Sequence, residues 1–269
     1  MTVRVLLVGC GNMGYAMLSG WLSSGKLAAS ETLVVEPNED LRHRAGRLGS
    51  VVAASNAELP AGLSPEIIVI AVKPQVIREV VAGYTRFAGK ATFLSIAAGT
   101  AIATFTEILG VGTAVMRCMP NTPAAIGKGM MVTFSNPHVT KDAQGFAVEL
   151  LAASGEVASV DDEALMDAVT AVSGSGPAYI FHFIECLTAA GEKAGLPADT
   201  AKLLAMQTVY GAASLAASSD EEPGRLREQV TSPNGTTAAA LGVLMGGNRL
   251  KTLVEEAVEA ARKRSVELG

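Results

Sequence analysis

The 269-residue sequence predicts an α/β fold in two parts, a doubly wound parallel sheet over residues 1–160 and an all-α half over 161–269. Three observations carry this. Short apolar runs alternate with helical patterns up to about residue 160. The first run feeds a Gly-x-Gly-x-x-Gly turn. From Asp161 onward no strand pattern recurs.

The chain opens on Met1-Thr-Val-Arg-Val-Leu-Leu-Val8, the near-continuous apolar run of a parallel strand buried on both faces. Gly9-Cys-Gly-Asn-Met-Gly14 follows, with glycines spaced for a tight turn, close approach of a pyrophosphate and close helix–strand packing. A second strand, Thr32 to Val35, ends in Glu36, 22 residues beyond Gly14. An acid there can accept the ribose hydroxyls of an adenosine. Glu66 to Val72, Ala91 to Ala97 and Gly112 to Arg117 read as further parallel strands, with amphipathic stretches at Gln75 to Val81 and Ala101 to Leu109 between them. In such sheets ligands bind beyond the carboxyl ends of the strands. Those ends carry Ala71-Val-Lys-Pro-Gln75, Ser95-Ile-Ala-Ala-Gly99 and Met119-Pro-Asn-Thr-Pro123.

In the second half, Asp161-Asp-Glu163 starts a helix with acids at its N-terminus, as the helix dipole favours. Ser173-Gly-Ser-Gly-Pro177 is expected to break it, Pro177 opening the next helix. That helix, Ala178 to Ala194, is apolar nearly all round and is expected to be buried. Thr200 to Ala217 forms an Ala-rich helix whose Gly211 permits close contacts. The last helix places Leu250, Leu253, Val254, Ala257, Val258 and Ala261 on one face. So much apolar surface exceeds what one helical layer needs, and predicts an oligomer interface.

Between these helices stands Val230-Thr-Ser-Pro-Asn-Gly-Thr-Thr237, with four hydroxyls around a Pro-Asn-Gly turn. Pro233 fixes φ, and Asn234 and Gly235 tolerate positive φ. Thr236-Thr237 reads as a hydroxyl-capped helix start with free amides. Converging hydroxyls and amides suit a small molecule carrying a carboxylate and a polar nitrogen. An ordinary inter-helix loop would share the turn residues.

Composition narrows the classes. Apolar residues make up 49% and charged residues 17%, which excludes a disordered chain. A net charge of −5 argues against non-specific nucleic-acid binding. The cysteines (Cys10, Cys118, Cys186) and histidines (His43, His138, His182) are scattered, so neither a disulfide framework nor a metal cluster is expected. No secretory signal or membrane-length segment is evident, and a cytoplasmic protein in a reducing compartment is expected.

With both halves in view, the chain resembles pyrroline-5-carboxylate reductases nearly end to end. The resemblance rests on Gly9 to Gly14, Ala71 to Gln75, Ser95 to Gly99, Arg117-Cys-Met-Pro-Asn-Thr-Pro123, Ser173-Gly-Ser-Gly-Pro-Ala-Tyr179 and Val230 to Thr237. The first motif is shared with many dehydrogenases; the last is the specific one. The family more often has Gly where this chain has Asn234, a departure that preserves left-handed geometry.

The resemblance implies reduction of the C=N bond of 1-pyrroline-5-carboxylate to L-proline, the last step of proline biosynthesis. It implies a Rossmann-type NAD(P)-binding domain and a helical substrate-binding and dimerisation domain, in homodimers that assemble further into a pentamer of dimers. Gly9, Gly11, Asn12, Met13, Gly14, Glu36, Asn56, Ala71, Val72, Pro74, Ala97, Ala98, Met119 and Asn121 are the expected cofactor contacts, with Thr122 beside them. Val230, Thr231, Asn234, Gly235, Thr236, Ser175 and Pro177 are expected around the substrate. Thr237, Ser232 and Lys73 are the catalytic candidates. Thr237 would contact the ring nitrogen, cap its helix, or both. Lys73 would hold a cofactor phosphate, a ribose or the substrate carboxylate, or simply be solvated. Arg117 is read as structural, tying the Pro120–Pro123 loop to carbonyls.

Glu36 disfavours a 2′-phosphate and so argues for NAD, while Arg42 and Arg44 could offset it. NADH is expected to be accepted and NADPH (NADP) also used. Two rivals remain at this stage: a hydroxyacid dehydrogenase or other imine reductase, which would not account for Thr231 to Thr237, and a non-catalytic nucleotide-binding protein.

Overall fold

Strands buried on both faces set the architecture of the first unit. The structure, a computed structural model, describes residues 3–268; Met1, Thr2 and Gly269 lie outside them. The chain divides into two compact units, Met1–Ser175 with Ala261–Gly269, and Gly176–Ala260. The sequence pattern placed the division at 160/161. The difference arises because the segment after Asp161 is helical yet packs with the sheet-bearing unit, so a change of periodicity precedes the change of unit.

The strands run β1 Val5–Val8, β2 Thr32–Val35, β3 Val51–Ala53, β4 Ile67–Ile70, β5 Thr92–Ser95, β6 Val115–Met119, β7 Gly129–Ser135 and β8 Gly155–Ser159. Their order in the sheet is β3-β2-β1-β4-β5-β6-β7-β8. All pairings are parallel except β6 with β7. The order reverses between β1 and β4, and the loops leaving their carboxyl ends flank that switch point. The apolar runs foretold β1, β2, β4, β5 and β6; β3, β7 and β8 were not singled out.

Helices of the first unit are α1 Asn12–Ser23, α2 Glu39–Gly46, α3 Ile77–Ala82, α4 Ile102–Leu109, α5 Lys141–Ala152 and α6 Met166–Val169. Period-2 alternation sends each strand's side chains to two cores. Leu6, Val8, Ile68, Ile70 and Phe93 pack with Ile77 and Val81 of α3 and Phe105 of α4. Val5, Leu7, Ile67, Val69 and Leu94 pack with Met17, Leu18 and Trp21 of α1 and Leu150 and Leu151 of α5.

Asp162 begins the helical segment as expected, its Oδ1 accepting the Ala164 N–H at 2.9 Å. Ser173 to Pro177 is not the break that its Gly and Pro residues suggested. Thr170–Gly174 forms a π-turn closed by Ser175 N–H to Thr170 O at 2.8 Å, and Ser175 keeps helical φ −86, ψ −24. A π-turn absorbs one extra residue, so the chain stays helical up to Pro177, whose missing N–H falls in the first turn of the next helix.

The second unit holds α7 Gly176–Lys193, α8 Ala198–Ser218, α9 Pro223–Gln229, α10 Thr236–Met245 and the start of α11 Arg249–Leu268. The expectation that α7 is buried is corrected: none of its residues is buried in the single chain, and Phe181 and Phe183 are exposed. A helix apolar all round needs cover, and here one chain does not supply it. Gly211 of α8 likewise meets nothing within 4 Å of where a Cβ would stand. No helix among the described residues is long and apolar enough to cross a membrane.

Candidate active site

The β1–α1 loop is built around three glycines with three different duties. Gly9 has φ +88, and a Cβ there would lie 2.6 Å from Ala71 O and 2.8 Å from Val72 Cγ1. Gly14 would place a Cβ 2.6 Å from Gly9 O. Gly11, by contrast, has nothing within 4 Å. Gly9 and Gly14 are therefore required by the protein itself, while Gly11 leaves open space in front of the N-terminus of α1. No acidic side chain occupies the first turn of that helix. Unpaired amides beside such a gap suit a pyrophosphate, so the loop fits a dinucleotide.

The loop is braced from two sides. Glu36, at the end of β2 and buried, accepts the Cys10 N–H through Oε2 at 2.6 Å and the Asn38 N–H through Oε1 at 3.0 Å. Arg44 donates to Cys10 O at 3.0 Å and Gly11 O at 3.2 Å, and its guanidinium lies 4.1 Å from the Tyr15 ring centroid. Arg42 donates to Glu36 O and Pro37 O. The two arginines thus hold backbone carbonyls, with no bond to the Glu36 carboxylate among those found. Arg44's role in shaping the loop had no signal in sequence, because it depends on α2 folding back over β1. Asn12 and Met13 line a cavity of about 460 Å³ alongside α1, together with Tyr15, Ser19, Arg44 and Thr122. Burial pushes the Cys10 thiol up to about 11, against a smaller lowering by Arg44, so it stays protonated and is no nucleophile at neutral pH.

Ala71 donates its N–H to Val8 O at 2.8 Å, which places the end of β4 beside the glycine loop. Lys73 is exposed and extended (φ −65, ψ 145), as a residue before proline must be, and Pro74 opens a short 3-10 turn. After β5, Ala97 is buried and Ala98 exposed, and Gly99 takes φ +73. Asn56 is exposed, with its amide donating to Gly83 O at 2.9 Å.

After β6 the predicted cofactor residues hold their neighbours. Asn121 accepts the Met130 N–H at 2.8 Å and donates to Ser173 O at 3.2 Å. The Met119 methyl lies against Gly174, where a Cβ would have to displace it. Arg117 is structural, but its partner is not a carbonyl. It is buried and paired with the Glu163 carboxylate at 2.7 Å. A buried guanidinium needs a charged acceptor, and sequence spacing could not identify one 46 residues away.

In the second unit, Val230 to Thr237 forms the expected turn. Gly235 N–H bonds Ser232 O at 3.1 Å, with Pro233 second and Asn234 third at φ +59, the pattern of a type II turn. Thr231 is turned back, its hydroxyl donating to Arg227 O at 2.6 Å. The hydroxyl-capped helix start is corrected: the N-cap is Gly235 (φ −79, ψ 173), with no side-chain cap. Thr236 and Thr237 fall at the first two helical positions, one residue too late to cap. The Thr237 hydroxyl, half-buried, is thereby left for another task. Ser232, Asn234 and Thr236 are exposed. Ser175 and Pro177 are half-buried at the junction of the π-turn and α7.

Comparison with known proteins bears on both units. A sequence profile described as pyrroline-5-carboxylate reductase dimerisation matches residues 163–268, and one described as NADP oxidoreductase, coenzyme F420-dependent, matches residues 4–99. A pyrroline-5-carboxylate reductase of Pseudomonas aeruginosa is 41% identical over 100% of this chain and 97% of its own. One from Synechocystis is 38% identical over 100% and 99%. Among solved structures, a pyrroline-5-carboxylate reductase from Coxiella burnetii superposes with TM-score 0.93 at 33% identity, covering 100% of this chain and 99% of that one. The Plasmodium falciparum pyrroline carboxylate reductase, solved with NADP bound, superposes at 0.85 and 30% identity, covering 99% and 98%. A ketol-acid reductoisomerase at 14% identity and TM-score 0.66 shares the fold alone.

Proposed function

This chain belongs to the pyrroline-5-carboxylate reductase family, and on that premise we propose how its residues reduce 1-pyrroline-5-carboxylate to L-proline with NAD(P)H. The observation that carries the proposal is the braced β1–α1 loop, with open space before Gly11 and the N-terminus of α1. Gly9, Gly11, Asn12, Met13 and Gly14 hold the pyrophosphate, and Glu36 the adenosine ribose. Ala71, Val72, Pro74, Ala97, Ala98, Met119 and Asn121 would seat the nicotinamide half, and Asn56 would contact the adenosine end. The cofactor, NADH or NADPH, supplies a hydride.

A cyclic imine is basic enough to be partly protonated in water, so the protein's work is orientation and charge stabilisation. Thr237 Oγ1, free of a capping bond, hydrogen-bonds the ring nitrogen and holds its proton. Ser232, Asn234, Gly235 and Thr236 receive the carboxylate through hydroxyl and amide donors, and Val230 and Thr231 fix the turn. Ser175 and Pro177 complete the substrate contacts. Lys73, exposed after β4, neutralises an anionic group of cofactor or substrate.

By function, 1–160 would be the NAD(P)-binding part and 161–269 the substrate-binding and dimerising part, although 161–175 and 261–269 belong to the sheet-bearing unit. The protein is a homo-oligomer. A pentamer of dimers in the cytoplasm is the proposed state; free Cys10, Cys118 and Cys186 fit a reducing compartment. The test is loss of reduced-nicotinamide absorbance with pyrroline-5-carboxylate, with proline identified as product, in wild type and Thr237→Val. Wild-type turnover with about a tenfold or greater loss in the variant is expected. Tight nucleotide binding without turnover would overturn the reading.

A further inference from the structure

Glu163 stands where three segments of the first unit converge, and the sequence read it only as an acid at a helix N-terminus. Its Oε1 accepts from Arg117 Nη1 at 2.7 Å and from the Ile102 N–H at 2.7 Å. Arg117 lies on β6, two residues before Met119 and four before Asn121. Ile102 opens α4 directly after the loop that holds Ala97 and Ala98. Glu163 itself begins the helical segment that becomes the π-turn ending at Gly174 and leads to Ser175. One carboxylate oxygen therefore links β6 and the start of α4, after the β5 loop, to the segment that becomes the π-turn.

The same π-turn is fastened a second time, by Asn121 to Ser173 and by the Met119 methyl on Gly174. Far along the segment, Asp167 accepts from buried Ser265 of α11 at 2.6 Å. π-turns cost hydrogen-bond geometry and persist where surrounding contacts over-determine them. Packing alone would be served by apolar residues of similar volume, since buried ion pairs give little net stability. What the charged bridge adds is direction: Arg117 is nearly buried, its fork is planar, and Glu163 fixes where it points.

We infer that Glu163 is a positioning residue for hydride transfer, holding the loops after β5 and β6 and the turn before Ser175 as one seat for the nicotinamide. This rests on the proposed function, which places the nicotinamide at Ala97, Ala98, Met119 and Asn121. Removing the bridge leaves the pyrophosphate loop intact, so the cofactor still binds, but with its reactive end loosely held. A misplacement of about 1 Å at the reacting centre can cost about a hundredfold in rate.

The experiment measures kcat, the KM values, the NADH dissociation constant and the emission of bound NADH. It compares wild type, Glu163→Ala, Glu163→Gln and the double variant Arg117→Met/Glu163→Met. Asn136→Ala serves as the stability control, because it strips buried bonds to Val115 N and Thr113 O at the opposite end of β6. For Glu163→Ala the expected result is a fall in kcat of about tenfold or more, with the NADH dissociation constant within about threefold of wild type. The bound nicotinamide should also emit more like free NADH. Gln keeps both acceptor contacts but not the charge, and should restore part of kcat. The double variant should recover the melting temperature but not kcat, and Asn136→Ala should lose stability but not kcat.

Wild-type kcat and emission in Glu163→Ala or in the double variant would overturn the inference, as would a Gln variant as slow as Ala. If the Ala variant does not fold, the double variant decides. Failure of the wild type to turn over would instead overturn the proposed function, and bound-NADH emission would still judge Glu163.

Discussion

Glu36 is the residue proposed to choose between the two nicotinamide cofactors. Its carboxylate is buried and pinned by the N–H groups of Cys10 and Asn38, so it cannot swing away from an incoming 2′-phosphate. Like charges brought together out of water repel strongly, whereas ribose hydroxyls can donate to the same oxygens. Arg42 and Arg44 keep their charge and reduce this repulsion, but among the bonds found they hold backbone carbonyls and neither pairs with the Glu36 carboxylate. Glu36→Ser should raise the NADPH-to-NADH ratio of kcat/KM by about tenfold or more, while weakening both cofactors because Cys10 N–H loses its acceptor. An unchanged ratio would remove Glu36 as the selector. Cys10 makes a second residue-scale prediction. Burial lifts its thiol from 9.0 to about 11, and desolvation raises Cys118 as well. Below pH 9 both states hold the proton, and the thiol's contribution is fully present. Above it the unfolded chain ionises first and the folded state loses stability up to about pH 11. The melting temperature should therefore drop through that window, and less steeply in Cys10→Ala.

At the scale of elements, the turn from Ser232 to Gly235 and the π-turn before Ser175 show what sequence can and cannot disclose. Pro233, Asn234 and Gly235 act locally through φ, so the turn was legible. The helix start was misread by one residue because Thr and Gly both suit an N-cap, and only φ and ψ at Gly235 settle which does it. Ser173 to Pro177 was misread as a break because Gly and Pro lower helix propensity, while the fastening that sustains a helical path comes from Asn121, 52 residues away. Glu163 was read only as a helix-starting acid for the same reason, its partners Arg117 and Ile102 lying 46 and 61 residues away. Glycines were legible as a motif, but only the structure separates Gly9, demanded by Ala71, from Gly11, which faces open space. Gly235 is a milder case of the first kind. A Cβ there would stand 2.5 Å from Ser232 Oγ, and since φ −79 suits alanine, the cost is steric displacement of that hydroxyl. Gly235→Ala should raise the KM for the imine by about tenfold, with the NADH dissociation constant within about twofold of wild type. Equal effects on both ligands would mean the turn does not contact substrate.

On the scale of the whole molecule, the two units differ in how they satisfy their apolar residues. The sheet-bearing unit buries its strands on both faces within one chain. The helical unit leaves Phe181, Leu203, Tyr210 and Leu253 exposed, each more than half. Exposed apolar area on this scale marks association, and the dimerisation profile over residues 163–268 agrees. Helices α7 and α8 and the exposed face of α11 thus behave as half of a core whose other half is another copy. A charge placed there must be buried unpaired when copies meet, a cost of several kcal/mol that recurs at the symmetry-related position. Leu253→Glu and Phe181→Glu should therefore sediment as smaller species than wild type and lose activity together with mass, while binding nucleotide, because Gly9 to Gly14 lie in the other unit. For wild type, the pentamer of dimers requires a mass near ten times the 27.5 kDa protomer. A species of twice the protomer mass with full activity would reduce the assembly to the dimer, and an active, folded monomer would leave the exposed helical faces without a purpose.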